Sequence, residues 1–184
     1  MNLFTKVIYY LKRIIYLLFK ENFHKKLKFD WSLYPKRYDI INNLIKFKNF
    51  KEYLEIGCFR NENFDKINIP NKIGVDPVSG GTHRVSSDDF FSTNAKKFDL
   101  IFIDGDKENY LLYLKHVLKN NTKSGSIIIV DNIFFHGDVF NSRPTHKKGN
   151  GAKKVLKFVE GSKKLFSSIS IIPLYDGTLI LKKK

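Results

Sequence analysis

The chain reads as an α/β protein: a mostly parallel, doubly wound sheet with helices on both faces. Short apolar runs alternate with helix-period segments from residue 51 onward, the pattern of successive strand–helix–strand units. Two of those runs, Phe98–Ile103 and Ile127–Val130, are almost continuously apolar, as strands buried on both faces require. Four runs end in polar groups: Glu55 with Gly57, Asp76, Asp104, and Asp131 with Asn132. Open α/β sheets bind ligands outside the carboxyl ends of their strands, which is where these groups fall.

Composition narrows the classes. At 184 residues and 42% apolar content, the chain has enough material for one core and is not a disordered segment. Cys58 is the single cysteine, which excludes an intrachain disulfide and indicates a reducing, cytoplasmic compartment. The formal charge of +15 has two readings. One is an anionic partner; the other is codon bias, since Lys, Asn, Ile and Phe are all abundant. Three stretches follow: a basic amphipathic helix over 1–28, a linker and helix over 29–50, and the main domain over 51–184.

In residues 1–28, Leu3, Phe4, Val7, Ile8, Leu11, Ile14, Ile15 and Leu18 recur at helical spacing. Seven basic residues stand against one acid, Glu21. Lys12 and Arg13 interrupt the run, so it is not a spanning helix, and no small-residue cleavage site marks a signal peptide. Such a helix suits the inner face of an anionic membrane. Packing on the domain, or on a second copy in a homodimer, is the competing reading.

Residues 30–35 read as irregular, and Ile40, Ile41, Leu44, Ile45 and Phe47 predict an amphipathic helix. Strand one falls at about 52–56, followed by a turn and abbreviated helix over 58–68, then strand two at about 72–76. Pro77–Gly81 is a loop by its Pro, Ser and Gly content, and residues 82–85 form a short third strand. Ser87 starts a helix with Asp88 and Asp89 at its positive end. After the buried strand at 98–103, a helix over 107–120 places Tyr110, Leu111, Leu114 and Leu118 inward. Beyond the strand at 127–130, a long loop covers about 133–149. A helix over 150–160 and strands near 168–173 and 178–182 close the chain.

Any one strand-end acid is as readily a cap or a turn residue as a ligand contact; the four together point to a crevice. The spacing of 21 residues between Glu55 and Asp76 suits one unit that presents a nucleoside, the glycine admitting backbone and the second acid accepting from ribose hydroxyls.

Glu55-Ile-Gly57, Gly74-Val-Asp76-Pro77, Ser87-Asp88-Asp89-Phe90-Phe91, Phe98 to Gly105, and Gly125 to Asn132 resemble, in order, the motifs of class I S-adenosylmethionine-dependent methyltransferases. The resemblance spans residues 50–184. It implies a Rossmann-like sheet of seven strands in full or abbreviated form. Asp104-Gly-Asp106-Lys107 and Asp131-Asn132 through His136-Gly137 are similar to the small-molecule O-methyltransferases of the catechol and caffeoyl-CoA type. Residues 136–151 look more like bacterial methyltransferases associated with surface-glycan or secondary metabolism. Phe59 and Asn61 stand where the family commonly has glycines.

The resemblance implies that Glu55 and Gly57 face the methionine part of S-adenosylmethionine, Asp76 holds the ribose, Ser87 and Asp88 lie near the adenine, and Asp104 with Gly105 lines the floor. It also implies a divalent ion, Mg2+ or Mn2+, on Asp104, Asp131 and Asn132, all oxygen donors; such an ion would lower the pKa of an acceptor hydroxyl. His136 is the alternative general base. The catalytic set implied is therefore Asp104, Asp131 and His136. The acceptor would be a small molecule or glycan precursor. Arg143, His146, Lys147 and Lys148 in the long loop favour an anionic one. A nucleic-acid methyltransferase is a second reading of the charge, without the Asn-Pro-Pro-aromatic tetrad used on a flipped base. A non-catalytic nucleoside-binding subunit at the membrane is the third.

Overall fold

The computed structural model describes residues 3–19 and 30–184. The remainder of the 1–28 helix and the start of the linker lie outside the described residues. The helices are α1 (Leu3–Phe19), α2 (Arg37–Lys48), α3 (Ser87–Thr93), α4 (Tyr110–His116) and α5 (Lys147–Gly161). The strands are β1 (Glu52–Ile56), β2 (Asn71–Val75), β3 (Phe98–Ile103), β4 (Thr122–Val130), β5 (Phe166–Ile172) and β6 (Thr178–Lys183).

The strands form one sheet in the order β2-β1-β3-β4-β6-β5. The first four pair in parallel, and β6 runs antiparallel to both its neighbours. Every residue of β3 is buried. From Leu100 onward its side chains alternate between two cores, as a pleated strand demands, while a register shift between Phe98 and Leu100 puts Phe98 with Ile101 and Ile103. Phe98, Ile101 and Ile103 join Tyr110, Leu114, Ala152, Val155 and Val159 from α4 and α5. Leu100 and Phe102 join Ile41 and Ile45 of α2 and the 64–69 segment. Two apolar layers thus cover the sheet, and the strand ends are left as the open rim.

Six strands stand where the full pattern has seven. Residues 82–85 contribute only a single bridge, Val75 to His83. The Gly80–Gly81 turn folds the chain straight back, so that Thr82 and His83 donate to the Gly74 carbonyl at 2.8 and 2.9 Å. Ser86 then caps α3 by accepting from the Asp89 N–H at 3.1 Å, and no length remains for a strand. The crossover after β1 is shorter than expected as well, reduced to one 3-10 turn at Phe64–Lys66. The 107–120 helix is divided into a 3-10 turn, α4 and a π turn at Val117–Asn121. In α2, Ile41 and Ile45 are buried but Phe47 faces solvent.

Among the described residues no helix is long and apolar enough to cross a membrane. In α1, Phe4, Val7, Ile8, Leu11, Ile14 and Leu18 are exposed.

Candidate functional site

A cavity of about 840 Å³ opens at the carboxyl ends of β1, β2 and β3. Sites for small molecules and cofactors span about 300–1,000 Å³. Glu55, Gly57, Asp76, Ser87, Asp88, Asp104 and Gly105 all line it. The structure therefore brings together every residue that the sequence assigns to a nucleoside-type ligand.

Gly57 sits where two strand-end loops touch. Its φ is +90°, and a Cβ there would lie 2.5 Å from both N and Cα of Gly105. The next loop residues take left-handed backbone without being glycines: Phe59 at φ 46° and Asn61 at φ 62°. Asn tolerates that conformation and Phe does not. The loop keeps the shape that glycines favour because tertiary contacts hold it. Asn61 Oδ1 accepts from the Gly81 N–H at 2.7 Å, and Ser79 Oγ donates to the Phe59 carbonyl at 3.0 Å.

Asp76 joins the two loops. Its carboxylate accepts from the backbone N–H groups of Phe59, Val78 and Ser79, each at 2.9 Å. Burial alone would raise its pKa, but the N–H groups of Ser79, Phe59, Val78 and Cys58 outweigh burial and hold it below the usual carboxylate range.

Glu55 is in a different state. It is 1% exposed, with Oε2 accepting from the Tyr53 hydroxyl at 2.5 Å and Asn63 Nδ2 at 2.9 Å. Burial pushes its pKa up to about 7 against the pull of those two donors. Beside it, Asn63 Oδ1 is a buried acceptor with no hydrogen-bond partner among the described residues. Both residues line the cavity.

The other wall carries charge on side chains. Asp104 is approached by Lys107 Nζ at 3.4 Å. Burial raises its pKa, while Lys107 and Arg37 pull it down. Asp131, at the end of β4, has a side chain with no exposure at all and does not line the cavity. Arg37, from the first turn of α2, lies between it and the open space, with Nε in direct contact with Asp131 Oδ2. Burial and then Asp104 raise Asp131 to about 6, with Arg37 opposing. Asn132 Nδ2 donates to the Tyr175 carbonyl at 2.7 Å.

The predicted divalent-ion set does not fit this arrangement. Asp104 and Asp131 are on adjacent strand ends, and each carboxylate already faces a cation from the chain itself, Lys107 and Arg37.

His136 stands apart from the cavity. Its side chain is 72% exposed, with Nδ1 3.3 Å from Asp176. Arg143 lines a separate small surface pocket with Lys153, Lys154 and Lys157, and His146 pairs with Asp138 at 3.7 Å. The long loop is anchored by Asp138, which accepts from Thr145 and His146 N–H groups at the start of α5. Its basic residues are absent from the cavity lining. Lys36, Arg37 and Tyr175 take that place; sequence reasoning passed over them because Arg37 and Asp131 are 94 positions apart. The only local signal was a basic pair directly after Tyr34-Pro35 at a helix start.

Comparison with known proteins adds an independent line. Residues 61–184 match the family model described as O-methyltransferase. The chain is 30% identical over 131 residues, 65% of its length, to "Probable caffeoyl-CoA O-methyltransferase 3" of Dictyostelium discoideum. It spans about half the length of that curated relative, 51%. The O-methyltransferase TomG of Streptomyces achromogenes, solved in complex with SAM, superposes with a TM-score of 0.67 at 17% identity, over 80% of each chain. An O-methyltransferase of Bacillus cereus in complex with SAH gives 0.66 at 15% identity, over 95% of this chain and 97% of that one. At such identities these structures establish the shared fold.

Proposed function

We propose that this chain, which belongs to the O-methyltransferase family, transfers a methyl group from S-adenosylmethionine to an oxygen of a small molecule or glycan precursor. The observation that carries the reading is the single cavity at the ends of β1, β2 and β3 that unites Glu55, Gly57, Asp76, Ser87, Asp88, Asp104 and Gly105.

The donor fits the cradle on this chain's own features. Gly57 and Gly105 leave backbone where side chains would fill the floor. Glu55 lines the cavity, and its carboxyl favours positive charge nearby. Asp76 stands beside the ribose and Ser87 with Asp88 beside the base, on the β2 side of the cavity. Asp104, Arg37 and Tyr175 then bound the acceptor end, since β3 and β4 lie on the other side of β1 in the sheet order.

The donor, when bound, supplies an electrophilic methyl whose bond to sulfur breaks as the bond to the acceptor oxygen forms. The chain's task is to hold that oxygen in line and to exclude water. Asp104 is placed at the acceptor end to take the proton, its pKa raised by burial. Calorimetry with S-adenosylhomocysteine tests the donor half, and a labelled-methyl screen of cell extracts tests transfer. A folded protein that binds neither donor nor its demethylated product would favour the non-catalytic reading.

We also infer that α1 lies on an anionic membrane surface. Phe4, Val7, Ile8, Leu11, Ile14 and Leu18 are exposed, and residues 1–28 carry seven basic residues against one acid. Removing residues 1–28 should release the protein from anionic liposomes with S-adenosylhomocysteine affinity unchanged. Equal liposome binding by the shortened chain would refute it.

A further inference from the structure

We propose that the Arg37 guanidinium occupies the position at the ends of β3 and β4 that a divalent cation would otherwise take, giving the acceptor end of the cavity a built-in cation that does not exchange. The proposal shares its cavity with the methyl-transfer reading and rests on that reading only for the acceptor's role; cation binding is measured without donor or acceptor.

A fully buried carboxylate keeps its charge most readily beside a compensating cation, either a metal or a basic side chain. At Asp131 that cation is Arg37. It is placed by contacts on both sides. The Tyr175 hydroxyl donates to the Pro35 carbonyl at 2.9 Å, fixing the residue two positions before Arg37. The Tyr175 ring lies under the guanidinium, 4.5 Å from centroid to carbon. On the following side, Asp39 Oδ2 accepts from the Lys36 N–H at 2.9 Å and closes the first turn of α2. The Tyr175 carbonyl also takes Nδ2 of Asn132. One loop residue therefore secures the cation and fixes the neighbouring Asn132 amide.

The charges balance locally. Arg37 faces Asp131 and Lys107 faces Asp104. A divalent ion added here would meet a guanidinium at contact range and would have to expel it. Arg37 also lines the cavity, and among the described residues its hydrogen bonding is through Nε to Asp131. Its Nη groups are left for a ligand. A guanidinium fork binds oxyanions in two-point fashion. The acceptor class this fits is one with an ionised oxygen, a carboxylate or phenolate, beside the methylated position.

The test is Mn2+ titration of the full chain, read by electron paramagnetic resonance and by melting temperature. Wild type, Arg37→Ala, Arg37→Lys and Arg37→Ala/Asp131→Asn are compared. Wild type and Arg37→Lys should leave Mn2+ free. Arg37→Ala should bind one ion at least ~10-fold more tightly, the scale on which neighbouring groups tune metal affinity, and gain melting temperature from it. The double variant should lose that gain. Should Arg37→Ala not fold, Arg37→Gln keeps the length, loses the charge and gives the same readout. Tight Mn2+ binding by wild type that Asp131→Asn removes would overturn the proposal. So would a folded, charge-deleted variant that binds no better than wild type. Calorimetry of wild type with S-adenosylhomocysteine reads the methyl-donor half separately.

Discussion

The two ends of the cavity solve the same problem, a buried carboxylate, by opposite means. At the β2 end, Asp76 is held by backbone N–H groups of Phe59, Val78 and Ser79, and its pKa falls despite burial. At the β4 end, the cation facing Asp131 is one long side chain from a distant helix, with Thr178 Oγ1 donating at 3.4 Å, and the Asp131 pKa rises. Backbone donors in tight turns are fixed when the loops fold and cost little further ordering. Asp131 is buried more deeply and also faces Asp104, so the one side-chain cation offsets less than the backbone donors do at Asp76. The β2 end is thus built as a rigid cradle, and the β4 end is tuned by charge.

That contrast can be broken most forcefully at the rigid end. Gly57→Val would drive a Cβ against the Gly105 backbone at 2.5 Å and force a branched residue to φ +90°. Overpacking and left-handed strain together predict a loss of roughly 4 kcal/mol. Scanning calorimetry should show the fall in melting temperature, with S-adenosylhomocysteine binding abolished. Unchanged binding would mean that the two loops do not form the cradle.

Glu55 comes next. Its native-state pKa of about 7, above the ordinary 4.5, keeps a proton on the folded chain where the unfolded chain has lost it. Stability should therefore fall as pH rises from about 4.5 to about 7 and level off beyond. Glu55→Gln should flatten that slope and stabilise the protein at pH 8 by at most about 3 kcal/mol. Denaturant midpoints across pH check this, and an unchanged slope would reassign the titration to another group.

A smaller effect is expected at Phe59, which is 59% exposed at φ 46°. Phe59→Gly should relieve left-handed strain against a greater loss of chain entropy, a net gain of about 0.5 kcal/mol by urea titration. Destabilisation would show that the aromatic ring contributes to the loop. The smallest effect belongs to His136→Ala. With its side chain in solvent, stability should stay within about 0.5 kcal/mol and the pH profile of turnover should keep its shape. Loss of the acid-side limb would restore His136 as the general base.

The outcome at the cavity shows what kind of information sequence carries. Glu55, Gly57, Asp76, Asp104 and Gly105 were legible because each ends a strand or begins the turn after it, and parallel strands in register bring such ends to one rim. Ser87 and Asp88 were legible from the helix start they belong to. Asp131 and Asn132 were placed correctly on their strand end, but their partners were not. Arg37 and Tyr175 carry no local pattern, and their meeting depends on how α2 and the β5–β6 turn close over the sheet. The missing third strand was decided the same way, by the tight Gly80–Gly81 return onto Gly74.

Sequence by itself determined the layered α/β architecture, the order of the elements and the acids at the strand ends, because periodicity and strand polarity are local properties of the chain. Only the tertiary structure decided which of those acids face the cavity, and which cation neutralises Asp131. Burial and charge pairing depend on residues far apart in sequence, and they exist only once helices and sheet have packed.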